Sequence, residues 1–192
     1  MTDISQRNHK LEEWLCRLES YDPLTAAHSH RVAALSVKLA RKLGVEESSS
    51  EDVRQGALLH DIGKMAIPLL LLQKANRLTN DEWEIMKSHP EEAFRILRRA
   101  NFSPTIYCIP YGHHERWDGN GYPRGIKGTD IPLTVRIVSV ADGYDTGTSD
   151  RPYQRAESEE AVLKVIHRMS GTHFDPVVVT AFTELLQETS TI

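Results

Sequence analysis

The sequence predicts an all-α protein, on three observations. Apolar residues recur three and four positions apart in successive windows, as one face of a helix requires. Ser or Thr followed three residues later by Glu stands at several window starts, the signature of a capping box. No stretch alternates apolar with polar residues as a half-buried strand would, and there is no internal repeat or low-complexity tract.

Taken in order, Leu11, Trp14, Leu15 and Leu18 form one stripe of a first amphipathic helix. Residues 1–20 are therefore read as an N-terminal helix, a linker or dimer element, and 21–192 as the main domain. Asp22-Pro23 reads as an N-cap with proline at the first helical position, and Val32, Leu35, Leu39 and Leu43 carry the second helix to Gly44. Ser48 with Glu51 is expected to cap a third helix that reaches His60 and stops near Gly63. Thr79 with Glu82 and Ser88 with Glu91 mark two more starts. Ser103-Pro104 opens a helix toward His113 that Pro110 should kink or interrupt. Residues 117–132, crowded with Gly and Pro, read as a long polar loop. Pro132 then starts a helix bearing Val135, Val138 and Asp142, and two helices follow over 158–169 and 176–188.

The 192 residues, 40% of them hydrophobic, suffice for one core without disulfide support. A net charge of −4 argues against DNA or RNA polymers as partners, whose binding draws on excess Lys and Arg, and against a basic membrane-surface protein. The longest apolar run, Leu69 to Leu72, is far below the length of a membrane span, and no secretory signal is visible. Cys16 and Cys108 show no paired spacing, which suits the reducing cytoplasm.

Histidine is the unusual residue, with nine copies. His28 falls in the second turn of its helix, His60 and Asp61 at a helix end, and His89 in a first turn. His113 and His114 end the proline-bearing helix, while Asp142 shares an apolar stripe with Val138. A carboxylate on a core stripe needs a cation or a strong donor network. Taken singly, each has a bland role in capping or packing. Together, five His and two Asp at helix ends and on a core stripe suit metal ions that accept imidazole and carboxylate: Fe or Mn, with Ni or Zn compatible. Seven ligands exceed one ion's need and suit a bridged pair, the arrangement that clamps both oxygens of a phosphoryl displacement.

Several stretches carry a resemblance. They are His28-Ser29-His30-Arg31-Val32, Leu59-His60-Asp61-Ile62-Gly63-Lys64, and His113-His114-Glu115 leading through Asp118-Gly119-Asn120-Gly121 to Tyr122-Pro123. Val140-Ala141-Asp142, Ser149-Asp150-Arg151-Pro152-Tyr153 and Phe174-Asp175-Pro176 complete the series. Over about residues 20 to 185 the chain resembles an HD-GYP domain, the bacterial cyclic di-GMP phosphodiesterase branch of the HD superfamily. The resemblance implies an HD-domain helical bundle with extra C-terminal helices and a Gly/Pro-rich lip. It implies two divalent ions held by His28, His60, Asp61, His89, His113, His114 and Asp142, with Asp61 bridging them and a hydroxide between them as attacking group. Lys64 would hold a nonbridging phosphate oxygen, Arg151 would reach the ligand phosphates, and Tyr122 would stack on a base or order the lip.

The implied reaction is hydrolysis of a cyclic dinucleotide, cyclic di-GMP foremost, to the linear dinucleotide and onward to GMP. Two alternatives stand beside it: another HD-type nucleotide or alarmone phosphohydrolase, and a non-catalytic module that binds the dinucleotide for signalling. A homodimer and an upstream sensor or regulatory protein are the expected partners. Two departures are notable. Leu24 stands where some members carry a Glu that binds a third metal. Gly143 and Gly147 should loosen the helix after Asp142 by about 1 kcal/mol each relative to Ala, disturbing the approach of Arg151.

Overall fold

A computed structural model describes residues 2–150 and 155–189. Among these residues ten α-helices follow one another: α1 (Thr2–Tyr21), α2 (Pro23–Lys42), α3 (Glu47–Leu58), α4 (Leu69–Leu72), α5 (Asn80–Met86), α6 (His89–Arg99), α7 (Pro104–Gly112), α8 (Leu133–Thr148), α9 (Glu159–Arg168) and α10 (Pro176–Thr189). Short 3-10 turns occupy Ile62–Ala66 and Gly128–Asp130. The described residues contain no strand, only an isolated bridge between Ser170 and Phe174.

Helix α2 is the hub. It opens as its sequence dictates, with the Asp22 carboxylate accepting the Leu24 amide and Pro23 in the first turn. Its buried face is built largely of small residues, Ala26, Ser29, Ala33, Ser36 and Ala40, so neighbouring helices can approach closely. Helices α1, α3, α8 and α10 pack around it, and α3 leads through α7 to α6. Leu11 and Leu18 of α1 are buried in this core, with Trp14 and Leu15 packed half-buried against it. Full burial of a leucine is worth about 1.5–3 kcal/mol.

Several local expectations are corrected. Ser48 does not cap α3: the N-cap position is Glu46, two residues earlier, and Glu51 instead pairs with Arg54 at 2.7 Å. Ser88 makes no capping bond either, because its hydroxyl donates back to the Ile85 carbonyl at 2.7 Å. The Thr79–Glu82 capping box is formed in both directions. Pro110 neither interrupts nor ends α7, which runs through it to Gly112. Helix α3 stops at Leu58, not His60, and the chain tightens so that Ile62 N–H reaches the Leu59 carbonyl and Lys64 N–H that of Asp61. Pro132 is the cap of α8 and not its first helical residue.

Gly143 and Gly147 do not loosen α8, which is continuous to Thr148. A Cβ at Gly143 would lie 2.8 Å from the Phe174 ring, and one at Gly147 2.8 Å from Val162. Both glycines let neighbouring side chains seat against the helix, so their propensity cost is offset by packing.

Candidate metal centre

Five separate segments deliver the seven ligand-type side chains to one place. His28 comes from the second turn of α2, His60 and Asp61 from the turn after α3, and His89 from the first residue of α6. His113 and His114 follow directly on α7, and Asp142 lies midway along α8. The turn bearing Asp61 reaches α6 because residue 63 is glycine: a Cβ there would fall 1.9 Å from the His89 carbonyl oxygen. Backbone-to-backbone approach of that kind is open only to glycine.

The imidazoles are aimed by a repeated device. Nδ1 of His60, His89 and His113 lies 2.7, 2.8 and 2.9 Å from the carbonyl oxygen of the residue three before it, Ala57, Met86 and Pro110. A carbonyl only accepts, so each Nδ1 carries the proton and each Nε2 presents a lone pair inward. Nε2 of His60 is buried and makes no hydrogen bond. Nε2 of His89 and Nε2 of His113 face each other at 3.3 Å. Two lone pairs so placed repel unless a cation lies between or beside them.

The carboxylate of Asp61, 2% exposed in its side chain, sits at the centre. Its Oδ2 lies 3.3 Å from His60 Nε2 and 4.0 Å from His28 Nε2, whereas its Oδ1 lies 3.4 Å from His89 Nε2 and 3.9 Å from His113 Nε2. Asp142 Oδ1 is 3.0 Å from His28 Nε2 and 3.9 Å from His60 Nε2. Three overlapping sets of donors therefore converge within coordinating range: His89, His113 and His114; His28, His60 and Asp142; and His60, Asp61 and His113. An imidazole–carboxylate set with an orphaned buried Nε2 fits borderline divalent ions such as Fe, Mn, Ni or Zn.

The electrostatics agree. Burial drives three of the histidines neutral: His89 falls to about 4 and His114 to about 3, and His113 is held well below the usual histidine range, with neighbouring imidazoles adding to the effect. Burial also acts to lower His28, but its hydrogen bonds to Asp142 and Asp145 outweigh it and raise that imidazole. Burial opposes ionisation of Asp61, but Lys64, His60 and His89 outweigh it and keep the carboxyl well below its ordinary value. Asp142 is likewise lowered against burial, by His28, His60 and His113. For His89, His113 and His114, neutral imidazoles beside ionised carboxylates are the protonation states a metal requires.

Around this cluster, Lys64 Nζ donates to Asp61 Oδ2 at 2.6 Å, the three-residue spacing surviving in the 3-10 turn. The Tyr122 ring stacks on His114, centroids 4.8 Å apart, while its amide donates to the His114 carbonyl at 3.2 Å. The lip is further tied down by Trp117 N–H to the His173 carbonyl and Asp118 N–H to that of Thr172. Arg151 lies outside the described residues.

Sequence reasoning missed three participants. Asp145 accepts from His28 Nδ1 at 2.7 Å, and Thr146 donates to Asp142 Oδ1 at 3.2 Å. The spacing of three and four from Asp142 on one helix face was the available signal. Glu115, with a fully buried side chain, accepts the Arg124 amide at 2.9 Å and so fastens the lip beside His113 and His114.

Comparison with known proteins meets this geometry. A profile of the HD domain matches residues 16–178. The chain belongs to the HD domain family. It is of the HD-GYP type. It is 43% identical over 180 residues to a cyclic di-GMP phosphodiesterase of Thermotoga maritima, a match covering 92% of this chain and 49% of that protein. It is 35% identical over 191 residues to the 3'3'-cGAMP-specific phosphodiesterase 2 of Vibrio cholerae, covering 98% of this chain and 36% of the relative. The chain thus spans half or less of the length of these relatives. Among solved structures, Bd1817, an HDG"Y"P protein from Bdellovibrio bacteriovorus, superposes with a TM-score of 0.69 at 25% identity, over 84% of this chain and 52% of that one. No described helix is long and apolar enough to cross a membrane.

Proposed function

We propose that this HD-GYP domain hydrolyses a phosphodiester bond of a cyclic dinucleotide, cyclic di-GMP foremost, with two divalent ions held by His28, His60, Asp61, His89, His113, His114 and Asp142. The observation that carries the reading is the division of Asp61: one oxygen turns to His28 and His60, the other to His89 and His113. A carboxylate so shared is suited to bridge two ions. When bound, a pair of Fe or Mn ions, or of Ni or Zn, supplies a water of lowered pKa and positive charge against the phosphate oxygens.

The chain's own residues do the rest. The carbonyl-anchored imidazoles give a rigid donor frame that needs no reorganisation on loading. Lys64, poised on Asp61, turns its ammonium to a nonbridging phosphate oxygen as charge builds there. Tyr122, on the lip, offers an aromatic face beside His114 for a base or orders the lip around it. Arg151 is assigned to the ligand phosphates, for which a planar guanidinium is suited. The Thermotoga maritima relative's name supports cyclic di-GMP as substrate, and the two unpaired cysteines support a cytoplasmic setting.

A mixed dinucleotide is the second reading, favoured by the 35% identity to the 3'3'-cGAMP-specific enzyme of Vibrio cholerae. Protein purified without air or chelators is assayed for metal and incubated with cyclic di-GMP and with 3'3'-cGAMP, the products being resolved by chromatography. The expected result is two ions per chain and a linear dinucleotide, from cyclic di-GMP first. Tight binding with no turnover of either by the loaded protein would overturn hydrolysis in favour of a signalling module.

A further inference from the structure

Three of the inward-facing histidines rest their Nδ1 on a backbone carbonyl, but His28 rests its own on a carboxylate, Asp145 Oδ2, at 2.7 Å. Asp145 is itself buried and is held by Arg31 through two bonds, Nε to Oδ1 at 2.7 Å and Nη2 to Oδ2 at 2.8 Å. Arg31 follows His28 by three residues on α2, and Asp145 follows Asp142 by three on α8. The two helices pack together, so each contributes one turn to a closed arrangement. Within it the His28 ring is gripped on both sides, Nδ1 by Asp145 and Nε2 facing Asp142 at 3.0 Å. Arg31 also donates to Ser149 at 3.1 Å, so the same guanidinium reaches the end of α8.

We infer that Asp145, locked by Arg31, is the positioning residue of His28. Its charge fixes the proton on Nδ1, orients the ring about its long axis, and makes His28 a stronger donor through Nε2 than the carbonyl-anchored histidines. Arg31 plays a distinct part. Without it, Asp145 would keep only its bonds from His28 Nδ1 and, at 3.4 Å, from Ser149 Oγ, and the ring it aims would be held less firmly. This inference rests on the metal reading above and adds an asymmetry to it. His28 groups with His60 and Asp142, and is absent from the set formed by His89, His113 and His114. Removing the Asp145 charge therefore weakens one ion and spares the other, whereas general damage to the fold weakens both.

The test is titration of the full chain with manganese(II) against a competing chelator, with circular dichroism to monitor the fold. Wild-type protein is expected to bind two ions. Asp145→Asn should bind one of them about 10- to 100-fold more weakly, the usual effect of losing such a supporting partner, and the other unchanged. Arg31→Gln, on a side chain about half exposed, should weaken the same ion by less. Equal weakening of both ions, or of neither, in folded Asp145→Asn overturns the inference while leaving the metal reading intact. If Asp145→Asn does not fold, Arg31→Gln decides: one ion selectively weakened supports the lock, and two unchanged or equally weakened ions overturn it. A wild-type chain that binds no manganese overturns the metal reading itself.

Discussion

The ammonium of Lys64 lies 2.6 Å from Asp61 Oδ2, the same carboxylate oxygen that faces His60 and His28. A cation from the protein thus stands where positive charge is wanted, within a side chain's swing of any phosphate held over Asp61. Lys64→Ala should mainly lower kcat, by roughly 10²-fold, in line with loss of one donor to a developing oxyanion. Metal content should be unchanged. Steady-state kinetics on cyclic di-GMP with metal analysis checks both, and a rise in KM at constant kcat would count against the role.

Asp61→Ala removes the one carboxylate among the described residues that is oriented to both groups of histidines. Turnover should disappear, because the bridge is lost and not merely one ligand. Substantial residual hydrolysis in the folded variant would contradict the bridging role.

Tyr122→Ala should raise KM by about 5- to 150-fold with kcat less changed, since base stacking is worth about 1–3 kcal/mol. The ring's contact with His114 sharpens the experiment. If metal content or kcat falls while KM holds, Tyr122 serves the His114 scaffold and does not contact the base.

Gly63→Ala places a methyl group 1.9 Å from the His89 carbonyl oxygen. The 3-10 turn and α6 must then separate, at a cost at or above the upper end of the about 1–3 kcal/mol typical of overpacking. A lowered Tm should accompany weaker metal binding, because His60–Asp61 and His89 ride on the two elements forced apart. Calorimetry with metal titration measures the pair; an unchanged Tm would refute the close contact.

Leu18 is fully buried and Leu15 packs beside it. Leu18→Ala should cost about 2–5 kcal/mol of stability. Sedimentation of a chain with both leucines made polar should show an unchanged mass with reduced stability. A dimer-to-monomer shift at constant stability would instead put the stripe in a seam between copies.

Much of this is legible from residue order. The three- and four-residue apolar spacing of Leu11 to Leu18 and of Val32 to Leu43, the Asp22-Pro23 start and the Thr79–Glu82 box are local signals, and local backbone preferences decide them. The seven ligand-type residues can also be picked out, because His and Asp at helix ends and on a core stripe are chemically conspicuous before any contact is known. Caps at Ser48 and Ser88 fail because each serine has a competing local partner or a shifted helix start, a choice made by energies of about 1 kcal/mol. Gly143 and Gly147 mislead because propensity is a local quantity, whereas the Phe174 ring and Val162 arrive from elsewhere in the chain. What only the tertiary structure decided is the division of Asp61 between two sets of histidines and the hold of Asp145 on His28. Both depend on the distance between helices far apart in sequence, and hydrogen bonds and coordination act only over a few ångströms of space, whatever the separation along the chain.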